Sequence, residues 1–363
     1  MPHDLLTAEA LAAWTAETQG GVISARRDDS GGHVSPSIAH SNGSASPIPA
    51  SVTRGNGSAA QSGACGLPPP ELPEQSGGAG IRVEHLTHVY NKGLAYETMA
   101  LDDISLDIRA GEFVGIIGHT GSGKSTLIQH LNGILKPGEG KIFIGGTDIT
   151  DKKVKMSDIR KKVGLVFQYP EYQLFDETVL KDVSFGPKNL GLSDEEAAER
   201  AREALSMVGL DADEFAERSP FELSGGQKRR VAIAGVIAMQ PETLILDEPT
   251  AGLDPKAHSD ILEMVRSIKD RTGSTVILVS HNMDDIAEMS DRIFVMDSGK
   301  LVRSGAPGEV FADSAYLTNI GLGLPPATKL AGMLAARGIA FGRVMLTARD
   351  IEDALGGLIG GGK

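Results

Sequence analysis

The stretch "FVGIIGHTGSGKST", Phe113 to Thr126, constrains this chain more than any other. Its second part, "GHTGSGKST", fits the spacing G-x-x-x-x-G-K-[ST]. An apolar strand pattern runs into it and the helical "TLIQHLNGI" runs out of it, which is the strand–loop–helix setting this motif requires. Glycines let successive backbone N–H groups close around phosphates. Lys124 can reach the β- and γ-phosphates, and the Ser125 hydroxyl can ligate Mg²⁺. Gly118, His119, Thr120, Gly121, Ser122, Gly123, Lys124, Ser125 and Thr126 are therefore the candidate nucleotide loop. His119 occupies a variable position of the motif and reads as loop surface.

The patterns around this loop alternate between strand and helix, which predicts an α/β core. Rough alternation starts at "IRVEHLTHVY", Ile81 to Tyr90, and "ALDDISLDIRAGEFVGIIG" reads as two strands around a turn at Ala110-Gly111. "GKIFIGGTDIT" is hairpin-like and "KVGLVFQ" is a buried strand. Ser193 with Glu196 forms a capping box that opens a helix through about Val208. "TLILDE" and "STVILVS" are continuously apolar, as in a parallel sheet covered on both faces. Beyond Gly299, "KLVRSGAPGEVF" leads into short helical stretches, and Thr347 with Asp350 gives a last capping signal.

Two further motifs carry chemistry. "FELSGGQKRR", Phe221 to Arg230, starts a second helix that Ser224 can cap and whose first N–H groups Gly225 and Gly226 leave bare, a second anion-binding end. "TLILDEP", Thr243 to Pro249, ends a strand in two adjacent acids, and side chains alternate along a strand, so Asp247 and Glu248 point differently. One can hold Mg²⁺ and the other can orient a water and take its proton.

Composition sets outer bounds on this picture. The 363 residues suffice for a sizeable core, and a net charge of −13 argues against wholesale nucleic-acid binding. The longest apolar runs, such as "VAIAGVIAM", are too short to span a bilayer. A lone cysteine, Cys65, excludes an internal disulfide and fits a reducing compartment. The opening "MPHDLLTAEALAAW" carries Asp4 and Glu9 where a signal peptide needs a basic and then an apolar region. From about Gly20 to Gly80 the chain is rich in Gly, Ser and Pro with no Phe, Tyr or Trp, which predicts a disordered extension.

"GHTGSGKST", "LSGGQ", "LILDE", "AGLD" and "VSH", in this order, resemble the signature of ATP-binding cassette ATPases from about Ile81 to Gly299. The resemblance implies a P-loop NTPase core with a RecA-like parallel sheet. It adds an antiparallel β subdomain, an α-helical signature subdomain and a short helical C-terminal extension. The expected division is 1–80 for the disordered extension, 81–302 for the nucleotide-binding domain with its helical subdomain at about 170–235, and 303–363 for the C-terminal extension. In this family two nucleotide domains pack head to tail, and each signature helix caps the γ-phosphate held by the other's loop. That implies a trans role for Ser224, Gly225, Gly226, Gln227 and Asp254 on a partner's ATP. It implies adenine stacking for Tyr90, a Mg²⁺- and water-sensing role for Gln168, the base role for Glu248 and a γ-phosphate contact for His281, with Ser125, Gln168 and Asp247 toward the metal.

Within the family, "YPEYQLFDETVLKDVSFGPKNLG", "LSGGQKRRVAIAGVIAM" and "DEPTAGLDP" resemble ATPase subunits of energy-coupling factor (ECF) transporters. "GHTGSGKSTLIQHLNGILKPGEG", Tyr90-Asn91 and the C-terminal "IGLGLPPATKLAGMLAARGI" point to the second of two paralogous ATPases. The resemblance implies a motor for micronutrient uptake, peripheral on the cytoplasmic face of the cell membrane. Its implied cofactors are ATP and Mg²⁺. Its implied partners are a second homologous ATPase in a hetero- or homodimer, a transmembrane coupling subunit and substrate-binding membrane subunits, with no nucleic acid. Glu171, Asp176 and Glu177 are candidates to receive arginines of the coupling subunit. The alternatives are the ATPase of a conventional importer for metal ions or amino acids, and a non-transport cassette protein. The latter usually carries two cassettes or a coiled coil, and this chain has one motif set and no heptad run.

Overall fold

The computed structural model describes residues 80–360. The expectations for the N-terminal extension, Cys65 included, lie outside the described residues.

Two sheets face one another across a helix. The first has four antiparallel strands in the order β2-β1-β4-β5: β1 (Ile81–Tyr90), β2 (Thr98–Ile108), β4 (Glu139–Ile144) and β5 (Thr147–Asp148). The second has six strands in the order β10-β9-β3-β8-β7-β6: β3 (Phe113–Ile117), β6 (Val163–Val166), β7 (Thr243–Asp247), β8 (Thr275–Val279), β9 (Arg292–Asp297) and β10 (Lys300–Gly305). Its strands are parallel except β10, which closes one edge antiparallel to β9. The two strands read around Ala110-Gly111 therefore fall in different sheets. "KLVRSG" of the segment read as leading into helices is the edge strand β10. Its outward alternation of burial is that of a half-covered strand.

The apolar runs separate by parity into two cores. On β3, Val114 and Ile116 join Leu127, Ile128 and Leu131 of α1 (Lys124–Leu131) and the first sheet. Phe113 and Ile117 point the other way, with Leu244, Leu246, Val276 and Leu278. That second core holds α3 (Val179–Asn189), α4 (Asp194–Met207), α6 (Gly225–Ile237), α7 (Pro255–Thr272) and α8 (Met283–Met289). Strands covered on both faces have no polar parity to spare, hence the unbroken runs. Two short helices, α2 (Met156–Lys162) and α5 (Ala212–Phe215), fill connections. Ser193 and Glu196 form both halves of the capping box that opens α4.

After β10 come α9 (Pro307–Ala312), α10 (Ser314–Asn319), α11 (Pro326–Ala335) and α12 (Ala348–Gly360). The last two pack around Ala327, Met345 and Ile351. Thr347 caps α12 through Asp350, whose backbone N–H donates to Oγ1 at 3.2 Å. Among the described residues no helix is long and apolar enough to cross a membrane.

Candidate functional site: a nucleotide cradle at the ends of parallel strands

Parallel register brings the motifs to one level. Ile116 pairs with Val279, Asp247 with Val279 and Val166 with Leu246. The loop after β3, Gln168 after β6, Asp247 and Glu248 at the end of β7 and His281 after β8 thus leave the carboxyl edge of the sheet together, where open α/β sheets bind ligands.

The loop is held by its glycines. A Cβ on Gly118 would overlap the Ser122 hydroxyl and the Met296 carbonyl. Gly123 caps α1 at φ 100, and a Cβ there would press on the Ala100 carbonyl. The first turn of α1 carries neither a side-chain cap nor an acid, so its N–H groups are free for an anion. Lys124 Nζ donates to the Gly118 and His119 carbonyls at 2.6 and 3.0 Å, which folds the ammonium over the loop. Burial lowers its pKa, against the pull of Glu248 and Asp247. Ser125 and Gln168 are exposed at the same edge.

The Asp247 carboxyl is pushed up to about 6, first by burial and then by the neighbouring Glu248 charge, while Lys124 and the Ser125 hydroxyl pull the other way. Glu248 leaves the strand at φ 50, a left-handed conformation that costs a side-chain-bearing residue about 1–2 kcal/mol. Its N–H still donates to the Val279 carbonyl at 2.9 Å, which holds the turn in place. Its carboxylate lies 2.8 Å from His281 Nδ1. Tyr169, next to Gln168, is also left-handed, at φ 55.

Tyr90 reaches the loop: its hydroxyl and that of Thr126 lie 3.3 Å apart. Its ring meets His88 edge-on at 4.6 Å, and His88 meets His130 at 4.7 Å. His130 is fully buried, and desolvation lowers its pKa to about 4, so it is a neutral backing for the aromatic. His119, read as loop surface, is partly exposed and held at both ring nitrogens. Nε2 lies 2.8 Å from Asp297 and Nδ1 lies 2.8 Å from the Thr120 carbonyl.

The second cradle stands apart from the first. Ser224 caps α6, with its hydroxyl accepting from Gln227 N–H at 3.3 Å and Gln227 Oε1 accepting from Ser224 N–H at 3.0 Å. None of these bonds reaches the loop at Gly118–Thr126. Added Cβ atoms on Gly225 and Gly226 would meet nothing within 4 Å, and neither glycine has positive φ. Among the described residues nothing requires them to be glycine. Asp254 is exposed at the start of α7, where it accepts from Lys256 and Ala257 N–H.

Sequence reasoning missed Arg229. It is 2 % exposed and makes a two-pronged pair with Glu171, at 3.0 and 2.8 Å, so Glu171 is not a free acid awaiting a partner. Its spacing held a clue: Arg229 precedes the buried Ile233 and Ile237 by one and two turns, and a charge on a core stripe demands a buried counter-charge. Asp176 accepts from the Glu177 N–H, and Glu177 pairs with Lys181 at 2.7 Å in the open. Also missed was the buried Asp285, which bonds His258 at 2.8 Å and Thr250 at 3.4 Å.

A glycine loop at a helix end, two acids and a histidine at one sheet edge define a P-loop nucleotide hydrolase. The ABC transporter family matches residues 101–251. The chain is 59% identical over 273 residues to the energy-coupling factor transporter ATP-binding protein EcfA2 of Caldanaerobacter subterraneus subsp. tengcongensis, covering 75% of this chain and 95% of that protein. The protein of the same description from Clostridium perfringens is 54% identical over 275 residues, covering 76% and 96%. Among solved structures, cbiO1 from Clostridium perfringens, described as part of the ABC transporter complex cbiONQ, superposes with TM-score 0.59 at 40% identity over 67% of this chain and 95% of that one. The ATP-binding cassette MJ0796, dimeric and bound to ADP and Pi, gives 0.56 at 33% identity over 62% and 98%. The chain belongs to the ABC transporter ATPases, among the ATP-binding proteins of energy-coupling factor transporters. Its activity is ATP hydrolysis coupled to transport.

Proposed function

We propose that the chain energises uptake of vitamins or related micronutrients as the second of two paired ATPases, peripheral on the cytoplasmic face of the cell membrane. The observation that carries the pairing is the bare α6 end: among the described residues nothing beyond its own helix backbone would lie within 4 Å of a Cβ on either glycine. A phosphate bound by another subunit explains them, and the relative MJ0796 is dimeric. A transmembrane coupling subunit and substrate-binding membrane subunits complete the assembly. Glu177, which is exposed, and the partly buried Asp176, rather than the Arg229-paired Glu171, are the acids that meet that coupling subunit.

The residues divide the work. The loop and Lys124 hold the phosphates, and Tyr90 stacks on the adenine. Ser125, Gln168 and Asp247 are all oxygen donors, which suits Mg²⁺. Among the described residues there is no cluster of three or more His, Cys, Asp or Glu, so the remaining ligands would be phosphate oxygens and water. When bound, Mg²⁺ would neutralise charge developing on the phosphates. Glu248, fixed by its left-handed turn, takes the proton of the attacking water. His281, 2.8 Å from Glu248, contacts the γ-phosphate in this reading. Ser224 to Gln227 and Asp254 act on the partner's nucleotide. ATP favours the closed dimer by binding it better than the open one.

The test is Glu248→Gln in the assembled transporter. ATP binding should persist while hydrolysis falls by ~10²–10⁴, the usual contribution of a positioned base. Turnover at the wild-type rate would remove Glu248 from that role.

A further inference from the structure

Arg229 touches three segments, each leading from a nucleotide-site residue. It sits on α6, five positions after Ser224. Nε and Nη2 donate to the two oxygens of Glu171 at 3.0 and 2.8 Å, in the turn Pro170–Gln173 that follows Gln168. Nη1 donates to the carbonyls of Pro249 and Ala251 at 3.0 and 2.8 Å, directly after Glu248. The guanidinium carbon lies 5.9 Å from the ring centre of Tyr169. On its far side the Pro249–Ala251 segment is gripped again, through the Thr250 hydroxyl on buried Asp285.

Packing alone does not call for an arginine here. A buried ion pair is weak support for stability, and apolar residues of similar volume often serve as well or better. What a methionine cannot do is set directions. A planar fork spends four N–H bonds, two on the Glu171 carboxylate and two on the Pro249 and Ala251 carbonyls, and so fixes two segments against α6. We infer that Arg229 is a positioning residue: it locks the α6 end offered to the partner's nucleotide, the Gln168 turn and the Glu248 turn into one register. Movement of any one is carried to the other two. Glu171 is the counter-charge that lets the guanidinium be buried, and its pKa is held below the usual carboxylate value, with the Arg229 hydrogen bond and charge outweighing burial, the largest single influence. The inference rests on the proposed reading that α6 acts on a second subunit's ATP.

The reading makes a specific kinetic demand. Arg229 does not touch the loop at Gly118–Thr126, so affinity for ATP at the chain's own site should not depend on it. Turnover should, because a misplaced catalytic group is costly even at about 1 Å.

The experiment uses the assembled transporter in proteoliposomes, with ATP turnover, substrate uptake and thermal unfolding measured together. Arg229→Lys keeps a charge beside Glu171 but cannot hold both oxygens and both carbonyls. The double variant Arg229→Met/Glu171→Met removes the buried charge altogether. In both, kcat should fall roughly tenfold or more with KM for ATP within about twofold, which is the pattern of a lost transition-state arrangement. Uptake per ATP should fall with it. Wild-type kcat and uptake per ATP in a folded Arg229→Lys would overturn the inference. So would a kcat loss that only tracks a lowered unfolding temperature in both variants. If the double variant does not fold, Arg229→Lys decides alone. Should wild-type turnover prove independent of a second ATPase subunit, the shared-site reading fails instead, which this pair of variants does not test.

Discussion

The two glycine-bearing helix ends, at α1 and α6, use glycine for opposite reasons. At α1 the glycines are forced from within. Gly118 and Gly123 lie where a Cβ would strike backbone or side-chain atoms, and Gly123 needs a left-handed φ. At α6 the end is finished without help: Ser224 and Gln227 satisfy one another, while Gly225 and Gly226 border open space. A site complete in one chain shows its reasons inside that chain. A half-site keeps features that its own fold does not use.

The sharpest break of this contrast is a pair of alanines. Gly123→Ala should abolish nucleotide binding, because φ 100 and the Ala100 carbonyl leave the new methyl no place. Gly226→Ala should fold and unfold as wild type, since among the described residues nothing beyond its own helix backbone lies within 4 Å of the new atom. It should nonetheless lower turnover of the dimer. Thermal unfolding and nucleotide titration of both variants, followed by turnover of the assembled pair, check this. A Gly226→Ala complex of wild-type activity would leave the bare end without a ligand.

Much of α1 and α6 was readable because their rules are local. A loop of fixed spacing between strand and helix, and capping boxes at Ser193 and Thr347, are decided within a few residues. The Asp247–Glu248 pair was legible as chemistry, but the left-handed turn that aims Glu248 was not. What escaped was non-local. Glu171 and Arg229 are 58 positions apart, and only the packing of α6 on the Gln168 turn makes them partners. β10 escaped for a different reason: "KLVRSG" is a short edge strand whose pattern is too polar to declare itself. α3 contains Pro187, which obscures a helix in sequence although the fold accommodates it.

Ser224→Arg comes next in expected size. Loss of the capping oxygen should lower stability by about 1 kcal/mol. ATP should still bind at the chain's own loop, while the bulky cation blocks approach of a second subunit and depresses hydrolysis at the partner's site. Equilibrium binding to the isolated chain and mixed-dimer turnover separate the effects. Hydrolysis by isolated chains at a rate independent of concentration and partner would break the comparison.

Neutralising Asp176 and Glu177 together touches neither helix end. As Asp176→Asn and Glu177→Gln, the change keeps an oxygen at position 176 for the Glu177 N–H and removes the exposed Glu177–Lys181 ion pair, and such pairs contribute little. ATP binding to the free subunit should stay near wild type, while uptake and co-purification with the membrane subunit fall. Wild-type uptake at equal expression would return these acids to an ordinary solvated face.

The smallest expected effect is a difference in pH response between the two ends. Both ring nitrogens of His119 face acceptors, the Thr120 carbonyl and Asp297, and only the protonated ring donates to both. The Thr120 bond, then Asp297, raise the pKa above 6.5, with burial and Lys124 opposing. A folded pKa above the unfolded one means that the contribution is fully present below pH 6.5 and is lost as pH rises through the folded value. The α6 end is built from Ser224 and Gln227, neither of which titrates. Amide exchange around Gly118–Thr126, corrected for its intrinsic pH dependence, should therefore lose protection as pH rises above 6.5 and through the raised folded value, while the α6 first turn does not. His119→Gln should remove the difference. A directly measured His119 pKa at or below 6.5 would mean that Asp297 does not hold the ring in its charged form.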